Sequence, residues 1–82
     1  MPDLKPIKLK PFLKYLELVA ELELVSVTGS HHKFNKKVKP KLIRPIIIPI
    51  HNQKEIPGQY VYKIVKQLGK TLEEFESEIS EL

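Results

Sequence analysis

Apolar and polar residues along this chain repeat with two different periods. The places where the period changes divide the chain into elements. Over Pro11 to Glu23 the apolar residues Phe12, Leu13, Leu16, Val19 and Ala20 recur three and four apart, which predicts an amphipathic helix with one apolar stripe. Pro11 suits its first turn, where a missing N–H costs no hydrogen bond. The other end, Glu21-Leu22-Glu23-Leu24, carries no glycine or proline punctuation. Leu24 to Thr28 is valine-rich and alternates, so it is predicted as a short strand. Gly29-Ser30 is a turn signal, and His31 to Asn35 is the predicted returning strand. The basic stretch from Asn35 to Leu42 contains Pro40 and reads as a loop, while the β-branched run Ile43 to His51 reads as the third strand.

Pro45 and Pro49 lie four apart in that run, so their missing N–H groups fall on one side of the strand. Only an edge strand tolerates this, and the same prolines discourage another chain from pairing there. A second helix is predicted over Pro57 to Leu68, with Tyr60, Val61, Ile64, Val65 and Leu68 on one face and Gly69 as its C-terminal cap. Thr71-Leu72-Glu73-Glu74 is a capping box that opens an acidic last helix over residues 71–82, whose stripe is Leu72, Phe75, Ile79 and Leu82. The predicted order is α-β-β-β-α-α. Short hairpins force an antiparallel sheet, and the helices must cover one of its faces. The expected fold is therefore a two-layer α+β domain with a three-stranded antiparallel sheet. It forms one domain over residues 1–82, with residues 1–8 expected to be flexible.

Composition narrows the function classes. Eighty-two residues hold one core and little else. Without cysteine there is no disulfide scaffold and no thiolate metal site. No apolar run approaches the roughly 18 residues of a membrane span, and Asp3, Lys5, Lys8 and Lys10 interrupt the N-terminus. Neither a membrane association nor a secretory signal is expected, and the expected location is cytoplasmic. The net charge of +4 hides an asymmetry. Between Leu24 and Lys54 there is no acidic residue, whereas Lys33, Lys36, Lys37, Lys39, Lys41, Arg44 and Lys54 are basic. From Thr71 onward the sign reverses. Phosphates are the commonest partner for such a basic cluster, and a solvated loop is the alternative.

Three histidines are candidates for chemistry: His31, His32 and His51. Neighbours in a strand point to opposite faces. His32 shares parity with Phe34, whose ring belongs in the core, and His31 shares parity with Lys33, which belongs in water. His31 is therefore expected on the open face, and His32 toward the helices or the sheet margin. An imidazole exchanges protons near neutrality, and RNA supplies its own nucleophile in the ribose 2′-OH. One base and a few cations suffice to cut it. A solvated surface histidine is the competing reading. A metal site is disfavoured, because His31 and His32 cannot share an ion from a regular strand and no carboxylate lies nearby in the chain. The hydroxyls Ser26, Thr28 and Ser30 lie near His31 in the chain, but no acidic third member completes a hydrolase triad.

Gly29-Ser30-His31-His32-Lys33-Phe34 resembles the G-S-H-H-x-F segment of HicA (YcfA-like) toxins. Pro49-Ile50-His51 followed by Lys54-Glu55-Ile56-Pro57 is similar to their P-x-H and K-E-I-P stretch. Lys63-Ile64-Val65-Lys66-Gln67 and Leu72-Glu73-Glu74-Phe75 resemble the closing helical segments. The resemblance covers nearly the whole chain in order. It implies a double-stranded-RNA-binding-domain-like fold and metal-independent cleavage of mRNA without a cofactor. It also implies an antitoxin partner, HicB, and a catalytic histidine at the first position of the pair, His31. Lys33, Lys36, Lys37, Lys39, Lys41 and Arg44 are the candidate RNA contacts, with Ser30, His32 and His51 as secondary candidates. The chain departs from the pattern in three places. The usual Gly-Phe end of the first helix is replaced by Glu21 to Leu24, the usual Lys-Gly-Thr after the proline is Gly58-Gln59-Tyr60, and the loop Lys36 to Lys41 is long and basic. Two other functions compete with a ribonuclease toxin. One is a non-catalytic duplex-RNA-binding module. The other is an interaction subunit that docks through its acidic last helix. Set against it is the simpler and preferred reading that Leu72, Phe75 and Ile79 pack on the core with the glutamates in water. A related idea folds those glutamates back over the lysines.

Overall fold

Burial of the three apolar helix stripes and the β-branched strands organises the computed structural model of the protein, which describes residues 5–82. Its elements are β1 (Ile7–Lys8), α1 (Leu9–Leu18), β2 (Leu22–Thr28), β3 (His31–Lys36), β4 (Ile46–Pro49), β5 (Glu55–Ile56), α2 (Gly58–Gln67) and α3 (Leu72–Ser80). Strands β2, β3 and β4 form a three-stranded antiparallel sheet in that order. Leu22, Ile46 and Ile48 of its inner face pack with Phe12, Tyr15, Leu16, Val61, Ile64, Val65 and Phe75 of the helices in one buried core. The outcome is the α+β, helices-over-sheet architecture that the periodicity predicts.

The boundaries differ where the chain lacks punctuation. The helix expected over Pro11 to Glu23 is α1, shifted toward the N-terminus. Leu9 N–H donates to Lys54 O at 2.9 Å, which fixes its start two residues before Pro11. Its end is set by Glu21, which adopts the left-handed conformation with φ of 57°. Leu22 and Glu23 then pair with Lys36 and Asn35 of β3, so sheet pairing overrides the helical preference of Glu21 to Leu24. Lys36 Nζ donates to Ala20 O at 2.9 Å, and Lys37 N–H donates to Glu21 O at 3.0 Å; together they tie the helix end to the far end of β3.

The third strand is shorter than the predicted Ile43 to His51. Ile43 is fully exposed and lies outside β4. Ile50 N–H donates to Ser30 O at 2.7 Å, the bond that flanks a non-hydrogen-bonded pair, so His31 and Pro49 face each other as such a pair. Pro49 therefore loses no ladder bond, which is why it is accommodated on this edge. The pairing of β1 with β5, Ile7 opposite Ile56 and Lys8 opposite Glu55, has no counterpart among the predicted strands. Of the N-terminal segment expected to be flexible, residues 1–4 lie outside the described residues and Ile7–Lys8 form β1.

The closing helices match their signals closely. Gly69 has φ of 75°; its N–H bonds Lys66 O at 3.0 Å and the Lys70 N–H bonds Val65 O at 3.2 Å, the paired bonds of a Schellman ending. Thr71 and Glu74 form the reciprocal capping box. The acidic helix α3 docks through Phe75, whose ring meets Tyr15 edge-on at 4.9 Å and Phe12 at 6.0 Å. Among the described residues the ion pair of α3 is Glu78 with Lys70, not with the lysines of the basic loop.

Candidate active site

The sheet face turned away from the helices carries the candidate chemistry, and the β2–β3 hairpin builds it. Gly29 has φ of 60° at the first central position of the two-residue turn, where a side chain would be strained. Thr28 and His31 therefore face each other directly. Pairing then slips between Leu24 and Ser26, leaving Val25 as an extra residue in β2. Before the bulge the even-numbered Leu22 and Leu24 share the side of Phe34. After it, Ser26 and Thr28 pair with Lys33 and His31 on the opposite, open side. Were Val25 instead paired in regular alternation, both hydroxyls would follow the leucines inward. The bulge has a sequence signal: alternation fails at Leu24-Val25, two apolar residues in succession.

Ser26, Thr28, His31, Lys33 and Ile47 line one open hollow of about 310 Å³. His31 and Lys33 are exposed and lie two residues apart on one face of β3, and Ile47 pairs with Lys33 from β4. The His31–Pro49 pair belongs to the closer type of antiparallel pair, with Cα atoms about 4.5 Å apart. The arrangement places an imidazole, an ammonium and two hydroxyls around a space large enough for part of a nucleotide.

The remaining candidates are dispersed. His32 is half-buried on the other face, and its Nδ1 lies 3.0 Å from Ser30 O, so Nδ1 carries the donated hydrogen. Ser30 O thus receives both His32 and Ile50, a structural task at the turn. His51 is exposed just beyond β4, with its backbone N–H donating to Gln53 Oε1. Lys36 holds the end of α1 through Ala20 O, and Lys41 bonds Lys36 O and lies 3.9 Å from Glu23. Lys37, Lys39 and Arg44 are exposed. The strand from His31 to Lys36 spans roughly 17 Å at about 3.4 Å per residue, so the basic loop lies at the opposite end of the sheet from His31. Of the candidate cations, Lys33 alone among the described residues lines the His31 hollow.

Among the described residues, no three His, Asp or Glu side chains gather as a metal-binding group. No helix among them is long and apolar enough to cross a membrane. A family model described as the HicA toxin of bacterial toxin–antitoxin systems matches residues 9–70, which include every element from α1 to α2. No match is found among curated proteins or among solved structures.

Proposed function

The chain belongs to the HicA toxin family of bacterial toxin–antitoxin systems, and from that membership we propose that it is a metal-independent endoribonuclease, an mRNA interferase, with His31 as its general acid/base. The observation that carries this reading is the exposed pair His31 and Lys33 in one hollow on the open sheet face. The His31 imidazole takes the proton of a ribose 2′-OH. The 2′ oxygen bonds to the adjacent phosphorus, and the bond from phosphorus to the 5′ oxygen breaks. The products are a 2′,3′-cyclic phosphate and a 5′-hydroxyl whose oxygen takes its proton from water, and the His31 imidazolium returns its own proton to the hydroxide left behind, which restores the base. Lys33 offsets the charge that builds on the phosphoryl oxygens, and the exposed Lys37, Lys39 and Arg44 contact the strand farther on. The antitoxin that family membership implies is, in this reading, of the HicB type and covers the open face; the target mRNA places the reaction in the cytoplasm.

The purified protein is expected to cut single-stranded RNA in excess chelator, and His31→Ala to lower the rate by about 10²–10⁴, the usual worth of one general acid/base. Undiminished cutting by the variant rules out His31 as the base.

A second reading, a duplex-RNA-binding module that does not cut, is favoured by the exposed cations of the loop joining β3 and β4. It predicts steeply salt-dependent duplex binding that His31→Ala leaves unchanged, with the RNA intact.

A further inference from the structure

Beyond the edge of β4, Pro49, His51, Gln53, Glu55, Ile56, Pro57 and Tyr60 enclose a second hollow of about 330 Å³. Its wall on the sheet side is Pro49, the residue that faces His31 across the β3–β4 pair, so the two hollows flank the same histidine. Gln53 holds that wall in place, accepting from His51 N–H and donating from Nε2 to Pro49 O at 2.8 Å. Tyr60, 37% exposed in the first turn of α2, is an aromatic ring without a burial role, bounded by prolines and beside an imidazole. Continuing past Gln53 and Glu55, the surface opens into a third hollow that Lys8, Lys10 and Lys54 line. An apolar aromatic seat followed by a group of cations is the chemistry of an unpaired nucleobase and the phosphates next to it.

We propose that the Tyr60 hollow seats an unstacked base of single-stranded RNA next to the residue at His31, and that Lys8, Lys10 and Lys54 hold the phosphates beyond it. The proposal rests on the RNA reading of the His31 hollow and extends the strand's path away from the basic loop, around the β4 edge. Tyr60 and the prolines contact the faces of the base. Glu55, exposed at the junction of both hollows, offers acceptor oxygens to a base edge, which favours a base with an exocyclic amino group over uracil.

The test uses a 2′-O-methyl octanucleotide carrying one 2-aminopurine, which cannot be cut because the attacking hydroxyl is blocked. With wild-type protein the fluorophore is expected to be quenched on binding. Tyr60→Ala should weaken binding about tenfold and abolish the quench without changing the salt dependence, and Tyr60→Phe should retain both. Lys8→Gln/Lys10→Gln/Lys54→Gln should lower the slope of log affinity against log salt by about 2 while saturating protein still quenches. Wild-type affinity in a folded Tyr60→Ala protein would hand the hollow to a protein partner and overturn the proposal, as would an unchanged slope in the triple variant. Should Tyr60→Ala unfold, Tyr60→Leu keeps the bulk without the ring and is expected to give the same loss. Binding as described by a protein that cuts no RNA refutes the ribonuclease reading and leaves the seat; equal cutting and equal KM in wild type and Tyr60→Ala refute the seat and leave the ribonuclease.

Discussion

Glu21 pairs an ordinary side chain with a backbone conformation that suits glycine. With φ of 57° its Cβ crowds the following carbonyl, at a cost of roughly 1–2 kcal/mol. Glycine relieves this crowding but loses more freedom on folding, so Glu21→Gly is expected to stabilise by about 1 kcal/mol. For a domain of this size that is a rise of about 4–8 °C in Tm, readable by thermal unfolding. A fall in Tm would mean that the Glu21 side chain makes contacts that outweigh the strain. Glu78 offers a pH test. Lys70 Nζ at 3.0 Å, and then the Tyr15 hydroxyl at 2.9 Å, hold its carboxyl below the ordinary value of 4.5. A lowered folded-state pKa stabilises the fold above the ordinary carboxylate range, and that contribution is lost as pH falls through the lowered value. Glu78→Gln should therefore be less stable than wild type at pH 7, with the gap closing toward pH 3 in urea titrations. Tyr15 is the complementary half, its phenol pushed up by burial and then by the Glu78 bond.

At the scale of elements, punctuation decided what could be read in advance. Helices α2 and α3 were visible because Gly69 and the Thr71–Glu74 box mark their ends in chemistry that depends only on neighbouring residues. The end of α1 was hidden, since nothing local in Glu21 to Leu24 outweighs a helix; pairing with Asn35 and Lys36 decides it. Two-residue strands such as β1 and β5 carry no periodicity, so they could not be found. The placement of His31 on the open face was legible from parity with Lys33 and Phe34, whereas the alignment of Ser26 and Thr28 with it depends on the bulge at Val25. Deleting Val25 is expected to give a folded protein with regular β2–β3 pairing and the hydroxyls still outward, because the residues on either side already sit in matching register. Cross-strand NOEs of Leu24 with Phe34 and of Ser26 with Lys33 would check this; their loss would show that the bulge also sets the twist the hairpin needs. Thr71→Ala should cost about 1 kcal/mol and release α3 first, seen as faster amide exchange in its opening turn.

Across the whole molecule, one basic cluster in sequence becomes separate groups in space. Lys36 and Lys41 bond backbone carbonyls, Lys33 stands beside His31, and Lys37, Lys39 and Arg44 occupy the far end of the sheet. Charge order along a chain does not reveal this division, because the strand direction carries consecutive lysines away from the turn. If the chain is the proposed ribonuclease, its cleavage kinetics should divide accordingly. Lys33→Gln is expected to lower kcat, by about tenfold or more. Lys37→Gln/Lys39→Gln should leave kcat intact, raise KM and reduce the salt slope by about 1.4. Equal effects of the two variants on kcat would mean that Lys33 has no special place in the reaction. The cluster of Phe12, Tyr15 and Phe75 has a further consequence for measurement. The chain has no tryptophan, and Tyr15 is its fully buried tyrosine, held edge-on between helices α1 and α3. That rigid, asymmetric setting makes the phenol a built-in optical probe. Near-ultraviolet circular dichroism should track the docking of the last helix directly, fading when it detaches even while the far-ultraviolet signal of the sheet persists.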